Sequence, residues 1–148
     1  MHAITSYSDS AHRSQVLELW ETVFAYGEAH NRPGLAIDKK LAVNDQLFFV
    51  AIVEDEVIGT LLAGYDGHRG WLYSVAVQPS HRNKGIGTAL IGHAEQALTA
   101  RGCLKINLQI GAGNEGVSGF YESLGYAVEP RVSMGKRILQ NIPPASQD

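Results

Sequence analysis

The sequence predicts an α/β fold with a mixed sheet, and three features of the chain support this. Two apolar runs, residues 47–53 and 57–65, flank the charged turn at 54–56, as the two strands of a hairpin do. A third strand-like run, residues 71–77, follows a turn bounded by glycines, which predicts an antiparallel meander. A helix-like run and another strand-like run, residues 105–110, come next, and such a crossover places its two strands in parallel.

The N-terminal part is expected to contain one strand and two helices. Residues 2–7 form the predicted strand, and Ser8-Asp9-Ser10 offers capping side chains for a following helix. Residues 27–34 interrupt the helical pattern as a loop, which either reaches a substrate or only connects helices, and a second short helix is expected over about 37–43. The first helix has an apolar face formed by Val16, Leu19, Trp20 and Val23, and charged positions expected to face water at Arg13, Glu18 and Glu21.

The C-terminal part is expected to hold two more helices and a hairpin. The first helix has a buried stripe at Ile86, Leu90, Ala94 and Ala97 or Leu98, and Arg101-Gly102 is its predicted stop. Asn114 is expected to cap a short helix that ends at Gly125 and turns Val117, Phe120, Tyr121 and Leu124 toward the core. Residues 126–128 and 132–137 form a predicted final hairpin about Glu129-Pro130.

The composition restricts the class of protein and of partner. With 148 residues, 45% of them hydrophobic and 18% charged, the chain fits a single soluble domain over residues 1–139, followed by a flexible tail at 140–148. A net charge of −3 gives no electrostatic reason to expect nucleic acid. No apolar run approaches membrane-spanning length, the N-terminus lacks signal-peptide regions, and the single Cys103 excludes an internal disulfide. A cytoplasmic location without a membrane partner is therefore expected.

Residues 82–88, Arg-Asn-Lys-Gly-Ile-Gly-Thr, are the strongest candidate for a binding site. Two glycines allow a ligand to approach the main chain, and the first turn of a helix offers unpaired N–H groups that favour an anion. On these residues alone, the alternative is an ordinary strand-to-helix turn with basic residues in solvent. A P-loop fits worse because Lys84 precedes Gly85, and a dinucleotide fingerprint fits worse because Leu90 stands in place of its third glycine.

Three stretches of the chain form a recognisable series. Residues 71–79 end in Ala-Val-Gln-Pro, residues 82–90 contain Arg-x-x-Gly-x-Gly, and Asn114 precedes the Phe-Tyr-Glu-Ser-Leu-Gly-Tyr run at 120–126. Taken in order, they resemble the GNAT superfamily of acyl-CoA-dependent N-acetyltransferases. Their order and spacing cover nearly the entire chain. Shorter stretches look like a small bacterial branch of this superfamily whose physiological acceptor is unassigned: residues 64–70, 101–103 and 134–137.

The resemblance implies an N-acetyltransferase that moves an acetyl group from acetyl-CoA directly to an amine of a small molecule, peptide or protein, without a metal. It implies that the main chain of Val75, Ala76 and Val77 pairs with the pantetheine arm at an edge freed by a bulge, where an amide stabilises the developing oxyanion. Asn114 is expected to contact the pantetheine region as well. The pyrophosphate is expected at Arg82, Asn83, Lys84, Gly85, Ile86, Gly87 and Thr88.

The resemblance also implies a general acid. Tyr121 matches the tyrosine that protonates the departing thiolate, and a phenol with a pKa of about 10 keeps its proton near neutral pH. The alternative role of Tyr121 is an aromatic residue in the apolar stripe of its helix. A covalent role for Cys103 is not favoured, because its place after Gly102 fits packing, so direct transfer is expected.

No general base can be assigned from the resemblance. Gln109 stands where some relatives place a glutamate, and because glutamine cannot act as a base, it either orients a water or the acceptor or simply occupies a face of the sheet. Tyr73 and Ser74 stand where other relatives place acidic residues. Glu115 and Glu122 fit ordinary solvent-facing positions on helices better than a base.

Three alternatives remain open at this stage. The missing carboxylate motivates a second function, an acyl-CoA-binding regulatory module with little or no catalysis. His68 and Arg69, at the tip of the meander, are either solvated turn residues or substrate contacts. A homodimer is compatible with the sequence, although no stretch decides it.

Overall fold

The computed structural model describes residues 2–24, 32–111 and 113–138. These residues fall into two compact units, one up to Leu108 and one from Gln109 onward. The first unit contains β1 (Ala3–Ser6), α1 (Asp9–Val23), α2 (Pro33–Val43), β2 (Phe48–Val53), β3 (Glu56–Tyr65), β4 (Gly70–Val77), α3 (Ile86–Ala100) and β5 (Ile106–Leu108), with a 3-10 turn at Pro79–His81. The second contains a 3-10 turn at Glu115–Val117 and α4 (Ser118–Ser123).

The five strands form one mixed sheet in the order β1-β2-β3-β4-β5. The pairs β1–β2, β2–β3 and β3–β4 are antiparallel, and β4–β5 is parallel, with α3 as the crossover between them. The predicted meander, crossover and mixed sheet are therefore confirmed. No helix among the described residues is both long and apolar enough to cross a membrane.

The sheet is covered by helices. Residues of α1 and α2, among them Trp20 and Ile37, pack in one apolar cluster with Phe48, Val50 and Leu62 of the sheet. The predicted stripe of α3 is buried at Ile86, Leu90, Ala94 and Leu98, while Ala97 is only partly buried.

At Gly59 of β3, α3 packs closely against the sheet. A Cβ atom at this position would be 3.0 Å from Leu90 Cδ1 and 3.3 Å from Ile86 Cγ2, both side chains of α3. It would also be 3.2 Å from the carbonyl oxygen of Ala76 in β4. Since Cβ contacts this short are uncommon, a larger residue here would require its neighbours to shift by a few tenths of an ångström.

Two N-terminal expectations need correction, and most of a third lies outside the described residues. Helix α2 begins at Pro33, about four residues early, because proline suits the first turn of a helix. Residues 27–31 of the predicted loop lie outside the described residues. The Ser8 side chain makes no capping hydrogen bond to α1. At the start of this helix, the Ser8 N–H donates to His12 Nδ1 at 2.9 Å instead.

Arg13 is buried and does not face water. Its guanidinium lies 2.9 Å from Asp9 Oδ1 and 2.7 Å from Asp38 Oδ1, and it also donates to the Gly34 carbonyl. A buried charge requires such partners, and Asp38 and Gly34 come from α2. The residue therefore joins the N-terminal halves of two helices. Glu18 and Glu21 are exposed, as expected.

The expected C-terminal hairpin is absent, since the described residues from Tyr126 to Ile138 contain no strand. Val128, Val132 and Met134 are 81%, 90% and 92% exposed. An ordered hairpin loses chain entropy, and a two-stranded hairpin is only marginally stable unless apolar burial offsets that loss. The expected tail from Gln140 lies outside the described residues.

The helix after Asn114 also differs from its prediction. Helix α4 has six residues, and its apolar stripe reaches no core: Phe120 is exposed, and Val117, Tyr121 and Leu124 are only half-buried. The Asn114 side chain makes no capping hydrogen bond within the described residues, because a 3-10 turn comes first, in which the Val117 N–H donates to the Asn114 carbonyl at 3.2 Å.

Candidate active site

A bulge interrupts β4 next to the predicted acetyl site. Thr60 pairs with Ala76 and Leu62 pairs with Tyr73, so the single residue Leu61 lies opposite both Ser74 and Val75. Ser74 has φ 50, in the left-handed region that L residues rarely adopt. The expected bulge is therefore confirmed, and it changes the direction of the main chain at the peptide between Ser74 and Val75.

The outer edge of β4 is only partly paired. The parallel register with β5 covers residues 70–72 of β4 and residues 106–108 of β5. Within the described residues, no strand continues this pairing along residues 73–77. Backbone groups at such an edge can accept an extended ligand as an added strand.

The turn at residues 82–88 has the backbone of an anion site. Gly85 is the N-cap of α3 at φ 80, preceded by Asn83 at φ 64, and its carbonyl accepts the Ala89 N–H at 3.0 Å. The N–H groups of the first helical turn have no acceptor within the helix. Buried Ile86 anchors this turn, while Arg82 and Lys84 are exposed.

Arg82 also connects this turn to the end of β4. Its Nε atom donates to the Val77 carbonyl at 3.2 Å. A guanidinium has five N–H donors, so this bond leaves the terminal Nη groups for other acceptors. The side chain is thereby fixed at its base and still presents positive charge at its tip.

Three predicted site residues, Gln109, Asn114 and Tyr121, belong to the second unit. Gln109 is exposed, and its Nε2 donates to Ser133 Oγ at 2.6 Å. Because this bond uses a side-chain N–H of Gln109, the oxygen of the same side-chain amide is left to accept a hydrogen bond. Asn114 is exposed beside the 3-10 turn.

Tyr121 is half-buried between two aromatic rings. Its ring meets Phe120 edge to face at 5.1 Å between centroids and Tyr126 at 6.0 Å. Burial raises the pKa of the Tyr121 phenol above its ordinary value. The phenol therefore carries its proton throughout the neutral range and is able to donate it.

Comparison with known proteins decides the family. A sequence model of the acetyltransferase (GNAT) family matches residues 13–126, which include β4, the 82–88 turn and Tyr121. The chain belongs to the GNAT acetyltransferase family. An acetyltransferase of Pectobacterium atrosepticum, ECA0875, is 40% identical over 126 residues, 85% of this chain and 89% of that protein.

Solved structures of other acetyltransferases share the fold of this GNAT protein. Glucosamine-6-phosphate N-acetyltransferase from Arabidopsis thaliana matches with a TM-score of 0.70 and 18% identity, over 93% of this chain and 98% of that one. An aminoglycoside 6′-N-acetyltransferase from Acinetobacter haemolyticus matches with a TM-score of 0.73 and 22% identity, over 92% and 99%. A related aminoglycoside N-acetyltransferase, solved with CoA, has a TM-score of 0.75 and 20% identity, over 93% and 95%.

Family membership establishes the reaction class of this GNAT protein. It is an acyltransferase that moves an acetyl group from acetyl-CoA to an amine. Within the first unit, its fold places the bulge of β4 and the 82–88 turn at the C-terminal end of one strand and the start of the helix that follows. The position of Cys103 fits the expected packing role: its side chain is buried, and its Sγ donates to the Lys105 carbonyl at 3.3 Å.

Sequence reasoning missed a polar residue that supports the bulge of this acetyltransferase. Thr60 is fully buried, and its hydroxyl bonds both Trp20 Nε1, at 2.8 Å, and the Ser74 carbonyl, at 3.0 Å. One signal for it was in the sequence. A hydroxyl inside the apolar run of β3 predicts a buried hydrogen bond, because buried polar groups are almost always paired.

Proposed function

We propose that this GNAT enzyme binds acetyl-CoA along the outer edge of β4 and at the start of α3, and transfers the acetyl group directly to an amine in a ternary complex. The observation that carries the proposal is the bulged, partly unpaired edge of β4, which leads through residues 79–81 into a turn of helix N–H groups. An extended pantetheine arm ending in a pyrophosphate fits such an edge and such a turn.

The donor is held mainly by the main chain in this proposal. Val75, Ala76 and Val77 pair with the pantetheine arm as a strand would, and Asn114 contributes a side-chain contact. The N–H groups at the start of α3 bind the pyrophosphate, and the cations of the turn add attraction for its negative charge. The residues assigned to this second contact are Arg82, Asn83, Lys84, Gly85, Ile86, Gly87 and Thr88.

The proposed chemistry forms a C–N bond and breaks the C–S bond of the thioester. The neutral amine attacks the carbonyl carbon, and an amide N–H of the β4 bulge stabilises the negative charge that develops on the carbonyl oxygen. Tyr121 donates its proton to the departing thiolate and regains one from solvent. The amine releases its proton to a water molecule. The side-chain oxygen of Gln109 orients that water by accepting a hydrogen bond.

Positioning supplies much of the rate in such a ternary complex, because both reactants are held at attack distance before reaction. No carboxylate stands at the Gln109 position to remove a proton from an alkylammonium. The enzyme is therefore expected to favour acceptors whose amine is neutral near pH 7, and its rate is expected to rise with pH as the acceptor loses its proton.

A panel of amines tests the proposal. Purified protein is mixed with acetyl-CoA and with amino sugars, aminoglycosides, polyamines, amino acids or peptides, and CoA release is followed. Mass measurement then identifies the modified atom. We expect at least one class of amine to be acetylated on nitrogen. Tight acetyl-CoA binding with no transfer to any class would overturn the proposal and indicate the regulatory module instead.

A further inference from the structure

A buried chain of two hydrogen bonds supports the bulge of β4. The indole nitrogen of Trp20 can only donate, so the Thr60 hydroxyl accepts at this end of the chain. The single hydroxyl proton of Thr60 is then left for the Ser74 carbonyl, which accepts it. The direction of both bonds is thereby fixed, from Trp20 of α1, through Thr60 of β3, to Ser74 of β4.

The inner end of this hydrogen-bond chain is shielded from water, because both Trp20 and Thr60 have 0% exposure. The Trp20–Thr60 bond is buried, so water does not replace it when a side chain is changed, while the Thr60–Ser74 bond is partly buried. The chain ends on the residue with the most unusual backbone of β4, Ser74 at φ 50. A non-glycine residue persists in that region only when its surroundings hold it there.

The Ser74 carbonyl and the Val75 N–H belong to the same peptide plane. A trans peptide directs its C=O and its N–H to opposite sides, so holding the carbonyl toward Thr60 fixes the N–H of Val75 on the other side. A hydrogen bond accepted by the carbonyl also polarises the peptide and strengthens its N–H as a donor. One side chain in the core thus controls both the direction and the strength of a main-chain donor.

We propose that Trp20 and Thr60 are positioning residues of the acetyl-transfer site: they orient and polarise the Ser74–Val75 peptide so that the Val75 N–H donates to the thioester carbonyl of acetyl-CoA. This inference rests on the proposed function, which places acetyl-CoA along this edge. Neither side chain touches the ligand. Their effect passes through the peptide between Ser74 and Val75.

Three substitutions separate positioning from packing. Thr60→Val keeps the shape of the side chain and removes the hydroxyl, and Thr60→Ser keeps the hydroxyl. Trp20→Phe removes the outer donor together with part of the buried ring. Ile37→Val is the matched control, because it trims a side chain of the same buried cluster and leaves every hydrogen bond intact. Thermal unfolding of each variant reports the loss of stability separately.

We expect Thr60→Val to lower kcat about tenfold, less than the roughly 10²-fold to 10³-fold loss caused by deleting an oxyanion donor outright. The affinity for free CoA, which has no acetyl carbonyl, should not change. Thr60→Ser should restore the rate, and Trp20→Phe should lower it less than Thr60→Val does. A folded Thr60→Val protein whose kcat falls no further than that of Ile37→Val would overturn the inference. If Thr60→Val does not fold, the comparison of Trp20→Phe with Ile37→Val decides by the same criterion.

Binding measurements separate this inference from the proposed function. If the wild-type protein acetylates no amine, the proposed transfer fails, but acetyl-CoA and CoA can still be compared by titration calorimetry. Loss of the hydroxyl in Thr60→Val should then weaken acetyl-CoA and leave CoA unchanged. Equal weakening of both ligands, or of neither, would overturn the role of Thr60 in orienting the Val75 N–H.

Discussion

The two units of this acetyltransferase are packed very differently. In the first unit, the proposed donor site includes main-chain groups of a strand and a helix, and these elements bury side chains such as those of Ala76, Ile86 and Leu90. In the second unit, none of the described residues from Gln109 to Ile138 is fully buried, and the proposed acid Tyr121 stands on a helix of six residues.

The difference suggests a division of roles. An N–H group is present in every residue except proline, so a donor site made of N–H groups depends on the fold more than on particular side chains. A site made of side chains on a lightly packed unit can change its chemistry without unfolding the donor site. We therefore expect most substitutions in the first unit to act on donor binding and stability, those at the β4 bulge to act also on turnover, and substitution of Tyr121 in the second unit to act on turnover alone.

The largest effect is expected from Tyr121→Phe, which should leave acetyl-CoA affinity unchanged and lower kcat by about 10²-fold, because a general acid contributes roughly 10² to 10⁴ to the rate. Because burial raises the pKa of Tyr121, the phenol stays protonated as pH rises. Loss of this proton should therefore not lower kcat of the wild type at any pH under about 10. Steady-state rates from pH 6 to about 10 check both statements. An unchanged kcat in the folded variant would remove Tyr121 from the mechanism.

The second prediction compares the stability of the two units. Leu90→Ala removes a fully buried side chain from α3 and should lower the free energy of unfolding by about 3 kcal/mol. Val132→Ser changes a residue that is 90% exposed and should alter it by less than about 0.5 kcal/mol. Urea unfolding of both variants measures the difference. Similar losses would show that Val132 is buried in the folded protein and would contradict this contrast.

Gly87→Val addresses the donor turn and should raise the Kd for acetyl-CoA about tenfold, since a branched side chain obstructs ligand approach to the main chain there. Gly92→Val is the matched control in the same helix, where an added Cβ meets nothing within 4 Å. Both variants replace a helical glycine with valine, which is a slightly better helix former, so calorimetric titration of the two compares the effect on the ligand. Equal affinities in the two variants would argue against the pyrophosphate position.

The smallest effect is expected from Lys84→Ala, which should weaken acetyl-CoA binding about threefold at low salt, because exposed charges contribute little. The loss should shrink as salt is added, since counterions screen exposed charges. Lys39→Ala on α2 is exposed, gives the same change in net charge, and should leave Kd unchanged. A loss that is independent of salt would assign Lys84 a role other than attraction of the anion.

The sequence predicts the first unit well because its signals are local. Residues close together in the sequence determine each predicted feature. These features are the apolar stripe of α3, the glycine turn before it, and the hairpin that is followed by a crossover. The error at Arg13 has the opposite origin: its helical position suggests solvent, whereas Asp38 and Gly34 approach it from another helix. A pattern within one helix does not contain that information.

The final hairpin could not be judged from its pattern for a related reason. Alternation at residues 132–137 indicates a strand preference, but a strand needs a partner that buries one face. In the structure these side chains remain exposed, and the preference is not realised. The bulge at Ser74 was expected from the family resemblance, whereas the bond from Thr60 that supports it becomes visible only once β3 and α1 are packed.

Gly59 has a consequence for which donors the enzyme accepts. It sets how closely α3 packs on β3, at the level of Ile86, where the helix begins. In the proposed binding mode the pyrophosphate lies at that helix start and the acetyl group at the bulge of β4, so the depth of packing sets the length of the ligand segment between them. A larger residue at position 59 would require Leu90, Ile86 or the Ala76 carbonyl to shift, and a shift of α3 would change that length. Evolutionary selection for a donor with a different spacing would therefore change Gly59, a buried residue that touches no ligand in the proposed binding mode.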